Sequence, residues 1–133
     1  MTVSLHNDVP DAALAYIRDN CDKMIACAGA PASYAEATTP PAGGKALADA
    51  AMSSGDFTIG DGDTDGRKIT WTSKPGTAVD DAGNCDHIAF VDTGNSKLLL
   101  VVPGTATVAL STGGGETVTI EGGSYTLRDP SVV

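Results

Sequence analysis

Aromatic side chains are scarce in this chain, at 5% of its 133 residues: one tryptophan (Trp71), three tyrosines and two phenylalanines. Large rings therefore supply little buried surface, and alanine, glycine, serine and threonine fill the space instead. A single domain of this size buries only a modest core, so part of its stability is expected to come from neighbours in an assembly. Positive charge is also in short supply. Eight Lys and Arg stand against 17 Asp and Glu, a formal net charge of −9, and such a field disfavours contact with nucleic-acid phosphates. Solubility alone accounts for this acidity; attraction to a basic partner is the functional alternative.

Cysteine is sparse and odd in number: Cys21, Cys27 and Cys85 do not make a disulfide framework. Residues 1–10 lack the basic-then-apolar order of a signal peptide, so folding in a reducing cytoplasm is expected. No apolar run approaches the roughly 20 residues that span a bilayer; the longest, from Leu98 to Val102, stops at Pro103. No membrane role is implied. There are two histidines, His6 and His87, and neither sits in a nucleophile motif.

What is present reads first as a helix. Asn7 or Asp8 can cap it, Pro10 suits its first turn and Asp11 favours its positive end. Helical spacing puts Ala13, Tyr16, Ile17, Asn20 and Cys21 on one face with Leu14 beside it, and Asp11, Arg18, Asp19 and Asp22 opposite. Residues 24–28 read as a buried strand ended by Gly29 and Pro31. Residues 30–55 read as a long connection that drapes over a partner, with an alanine-rich short helix over 45–52. From Asp56 the pattern becomes strands separated by turns: 57–59, 67–73, 87–92, 97–102, 105–110, 117–120 and 124–127. Thr93-Gly94-Asn95 and Glu121-Gly122-Gly123 read as hairpin turns that supply positive φ. Within the strands, Ile69 and Trp71 should face the core, as should Val118 and Ile120. The expected fold is mainly β with a short N-terminal helix (α+β), a compact antiparallel sandwich or barrel. Its expected divisions are an arm (1–8), a helix plus extended connection (9–55) and a β-rich domain (56–133).

Chemistry has few places to sit. The six residues from Asp61 to Gly66 (DGDTDG) match the first half of a calcium loop, with Asp61, Asp63 and Asp65 as candidate ligands. The twelfth position, which should be a bidentate glutamate, is Thr72, and the same composition suits a plain tight turn, the preferred reading. Cys85, Asp86 and His87 could offer a thiolate and an imidazole, but no second Cys/His pair stands at zinc-site spacing. Gly113-Gly114-Gly115 leads into Glu116 and a strand, not into a lysine and a helix, so it is no P-loop. No catalytic residue, metal or cofactor is assigned, and an enzyme is not expected.

Several segments, read in order, resemble a widespread family of small virion proteins of tailed bacteriophages. These are residues 11–20 (DAALAYIRDN), 33–39 (SYAEATT), 61–70 (DGDTDGRKIT) and 86–99 (DHIAFVDTGNSKLL), with a strand-rich end near Asp129-Pro130. Residues 45–54 depart from that pattern like an insertion. The resemblance implies a structural particle component, made in the host bacterial cytoplasm, with no catalytic residues. The preferred placement is a head decoration (cement) protein on the capsid exterior, contacting the major capsid protein and copies of itself as a trimer or other ring. The alternatives are a tail-associated fibre or tip protein, and a metal- or glycan-binding β module. The contacting segments are expected to be the arm, residues 1–8, and the connection, residues 30–55.

Overall fold

Strand β1 (Lys23–Cys27) is apolar at every position after Lys23, and the computed structural model, which describes residues 4–130, places it inside a four-stranded antiparallel sheet. Its neighbours are β2 (Ala46–Ala51) and β6 (Gly83–Asp92), and β6 pairs in turn with β7 (Lys97–Leu110). A strand buried on both faces needs apolar residues at successive positions, which is what Met24, Ile25, Ala26 and Cys27 provide. The expected strand over 24–28 is present.

A second sheet joins β3 (Phe57–Asp61), β4 (Arg67–Trp71) and β9 (Gly123–Leu127), with β4 in the middle. A two-stranded ribbon pairs β5 (Lys74–Ala78) with β8 (Thr117–Ile120). The sheets pack as a sandwich, and the mainly β architecture with a short N-terminal helix agrees with expectation. Met24, Ala26 and Phe90 from the first sheet meet Phe57, Ile69 and Trp71 from the second. Phe90 lies 4.7 Å from the Trp71 ring and 6.0 Å from Phe57, both inclined rather than stacked. The opposite face of the first sheet carries Ile25, Cys27, Ala89 and Val91, and the short helix α2 (Tyr34–Thr38) covers it with Ala37. Ser33 caps α2 by accepting a hydrogen bond from the Glu36 amide.

Helix α1 (Asp8–Asn20) starts where its cap residues suggested, but it is turned about its axis. The buried positions are Pro10 and Leu14, with Ile17 and Cys21 continuing the stripe, while Ala13 and Tyr16 are exposed. Asp11, expected on the solvent side, points to the sheet and pairs with Arg67 through two bonds of 2.6 and 3.1 Å. Alanine-rich positions discriminate weakly between faces, so one bidentate ion pair and one leucine set the rotation.

The 45–52 segment is strand β2, not a helix. Alanine favours helices, but a helix this short is marginal alone, whereas Leu47 and Ala48 become buried when the segment pairs with β1. Residues 30–55 therefore fold onto their own chain through α2, β2 and a 3-10 turn (Ser54–Asp56). The division at residue 55 is not a boundary, because β1 and β2 share one sheet with β6 and β7. Asp8 belongs to the helix rather than to an arm, and residues 1–3 of that arm lie outside the described residues.

The two expected strands over 97–110 are one strand, which passes through Pro103 by slipping register with β6 between Cys85 and His87. Glu121-Gly122-Gly123 is a crossover between ribbon and sheet, not a hairpin, since β8 and β9 do not pair with each other. In the Thr93-Gly94-Asn95 hairpin the positive φ falls one residue later, on Ser96 at 54°. Strand β5 carries Pro75 and Gly76, which hid it from a pattern reading, and the register slips there. Ile69, Trp71 and Ile120 are buried as expected, with Val118 packed beside them.

Phe90→Ala is expected to cost about 3–5 kcal/mol, because it empties the point where three rings meet. Urea unfolding monitored by circular dichroism measures it; a loss under about 1 kcal/mol would show that Phe90 does not anchor the core.

Candidate functional site

The Asp61–Gly66 segment forms the β3–β4 turn. The Gly62 amide donates to the Gly66 carbonyl at 2.9 Å, and Gly66 takes φ +73°, where an added Cβ would lie 2.0 Å from the Leu127 carbonyl oxygen. The three candidate calcium ligands turn to three different cations. Asp61 pairs with Arg67 at 2.5 Å, Asp63 with Lys68 at 2.5 Å and Asp65 with Arg128 at 2.6 Å. Calcium binding needs converging, unneutralised oxygens. Among the described residues no group of three His, Cys, Asp or Glu side chains gathers as a metal site.

Cys85, Asp86 and His87 lie on β6 beside β1. Asp86 accepts from the Gly29 amide at 2.6 Å and lies 2.8 Å from His87 Nδ1, and His87 together with this amide holds its carboxyl below the usual range. Asp86 thus fastens the β1–α2 loop to β6. All three thiols are free. Burial pushes Cys21 up to about 11 and Cys27 up to about 12, and it raises Cys85 as well, so none is a ready thiolate. His6 is exposed beside Asp8, on a different element from His87. Gly113 and Gly115 take positive φ in the β7–β8 loop, and Glu116 accepts from the Gly114 amide at 2.8 Å. These motifs serve local structure.

The surface that stands out is the free edge of β7. The strand runs from Lys97 to Leu110 and, among the described residues, has β6 on one side and no strand on the other. Its first half is half-buried: Leu98 and Val101 face the α2 side, and Leu99, Leu100 and Val102 face the sandwich core. Its second half is exposed from Pro103 to Ala109, with Val108 at 48%. No charged side chain occurs from Leu98 through Gly115. An open edge presents unpaired N–H and C=O groups, and soluble proteins usually blunt it with charges, prolines or bulges. Here Pro103 withholds one N–H and two register slips interrupt the ladder, leaving an uncharged stretch on either side. The opposite edge of the sheet differs: β2 carries Asp49, paired to Lys23, and bridges to Val79. In the second sheet α1 packs against β3 and β4, and β9, a shorter strand, is the other edge. The apolar run at 98–102 was visible in sequence; its place at an edge was not, because strand order depends on β1 taking the seat between β2 and β6.

No family model, curated protein or solved structure matches this chain. No described helix is long and apolar enough to cross a membrane.

Asp56 yields the clearest pH dependence. Lys74 Nζ donates to its carboxylate at 2.8 Å, and the Ser53 amide and the Thr72 hydroxyl add bonds of 2.9 and 3.0 Å. Led by Lys74, these partners hold Asp56 down at about 2, below the roughly 3.9 of an unfolded aspartate. Its contribution is therefore complete above about pH 4 and is lost as pH falls through about 2. Asp56→Asn should lower stability at neutral pH and narrow the gap to wild type between about pH 4 and 2. Denaturant midpoints across that range test this; a gap independent of pH would contradict it.

Proposed function

We propose that this chain is a structural subunit of a tailed-bacteriophage particle, a head decoration protein that stabilises the capsid exterior by packing against copies of itself and the major capsid protein. The observation that carries the reading is the long uncharged free edge of β7. Such an edge offers main-chain hydrogen bonds to a neighbour's strand, and its apolar side chains fill the space around that strand. The segment resemblance to small phage virion proteins supplies the particle context. The engagement of the acidic and thiol groups in local structure supports a role without catalysis.

The proposed contact surface differs from that expected of the sequence. Residues 30–55 are taken up by the chain's own sheet, so they do not serve as a draped arm. In this reading the β7 edge takes their place. A partner that binds only the assembled shell stabilises it by mass action: at about 100 times its Kd, each site gains about 2.7 kcal/mol. The net charge of −9 keeps the protein off packaged DNA and suits a basic seat on the shell.

Two measurements test this. Quantitative mass spectrometry of purified particles should give a copy number on the scale of the major shell protein; a handful per particle would move the subunit to the tail. Val108→Lys puts a charge on the exposed half of β7, and should reduce occupancy by roughly tenfold or more with little change in the melting temperature of the isolated chain. Unchanged occupancy would remove the β7 edge from the contact.

A further inference from the structure

Helix α1 is apolar on two sides, and only one of them meets the sandwich. Pro10, Leu14, Ile17 and Cys21 form the inner stripe. Val9, Ala12, Ala13 and Tyr16, spaced at i, i+3, i+4 and i+7, form a second stripe on the opposite side and are exposed. Val9 is 55% and Tyr16 46% exposed, and Leu5, at 41%, leads into the helix. Three of the five large exposed apolar side chains among the described residues thus fall on one short stretch. Apolar residues scattered singly over a surface need no explanation, but a group of them at helical spacing on an exposed face marks a contact. The helix itself needs only its inner stripe to stay in place.

The charges beside the outer stripe select its partner. Asp8 and Asp19 stand about three turns apart, so they share one border of the stripe, and their side chains are 87% and 55% exposed. Past this border α1 faces β3 across an open groove, where Asp11 and Asp61 both hold Arg67, and Asp19 holds Arg18. The four carboxylates outnumber the two guanidiniums, which leaves this flank negative. At the C-terminal end of the stripe Lys97 Nζ lies 5.5 Å from the centre of the Tyr16 ring and donates to its hydroxyl at 2.9 Å, holding the ring in place. A second copy of the chain fits this face poorly. An antiparallel, two-fold pair of α1 helices brings Asp8 of each toward Asp19 of the other, between chains that both carry −9.

We propose that the outer face of α1 docks a basic amphipathic helix of another protein. The apolar side chains of that helix lie on Val9, Ala12, Ala13 and Tyr16, and its Lys or Arg side chains lie along the Asp8–Asp19 border. The two alanines let the helix axes approach closely at the centre, with Val9 and Tyr16 as anchors on either side. This surface is separate from the exposed half of β7 and does not depend on it.

Three synthetic peptides of about 14 residues test this on the full chain. The first carries leucines at i, i+3, i+4 and i+7 with lysines between them. The second has glutamate for every lysine, and the third has the composition of the first with its leucines scattered over all faces. The first peptide should shift the backbone amide resonances of residues 5–20 saturably, with Kd below about 1 mM. Both controls should bind at least about tenfold more weakly. Val9→Ser together with Tyr16→Ser should keep the melting temperature within a few degrees of wild type and weaken binding at least about tenfold. Val108→Lys should leave binding unchanged, which separates this surface from the β7 edge. The proposal is overturned if the first peptide gives no saturable shift, if either control binds equally well, or if the shifts centre on β7 or vanish in Val108→Lys. Unchanged binding to the folded double variant overturns it too. So does sedimentation showing that the chain alone forms dimers that the double variant abolishes, since a second copy then holds the face. Should the double variant not fold, shift mapping and the three-peptide comparison on the wild-type chain remain decisive.

Discussion

Burial of β1 on both faces is the constraint on which the remaining structure depends. Met24 and Ala26 need a second sheet above them, and Ile25 and Cys27 need a cover below. The chain meets the first need with β3, β4 and the rings of Phe57 and Trp71. It meets the second with α2, a helix of five residues stabilised by its Ser33 cap and by packing. Because β1 must be central, β2 and β6 are its partners, and β7 is left outermost. The free edge proposed as the contact surface is thus a consequence of where the most apolar short strand must sit.

Electrostatics reinforce the same arrangement. Six of the eight Lys and Arg side chains form ion pairs with aspartates (Arg18, Lys23, Arg67, Lys68, Lys74 and Arg128). Arg67 is the most structural, since it ties α1 to the β3–β4 turn through Asp11 and Asp61 from a side chain only 17% exposed. Pairs on the surface contribute little each, about 0–1 kcal/mol. Their collective effect is to engage nearly every cation locally, so the surplus of acid remains as the protein's outward field.

Much of this was legible in the sequence. Successive apolar residues at 24–27 marked a fully buried strand, and alternation at 69, 71, 118 and 120 assigned inward faces correctly. The failures share a physical cause. ALADAA at 46–51 has helical propensity and strand destiny, because pairing with β1 buries Leu47 and Ala48 and outweighs a few tenths of a kcal/mol per alanine. The rotation of α1 was decided by Asp11 meeting Arg67, a contact 56 residues apart in sequence. The calcium-like loop was recognisable, but its neutralisation by Arg67, Lys68 and Arg128 was not, since Arg128 arrives from β9. In the same way the β7 edge arises from strand order, which periodicity does not carry.

The proposed function turns on completion of β7 by a neighbouring subunit in the particle. Amide hydrogen exchange, compared between the isolated chain in dilute solution and the same chain in purified particles, tests it most directly. Amides along β7 should gain strong protection in the particle while β1 is protected in both states. Equal exchange along β7 in the two states would contradict it.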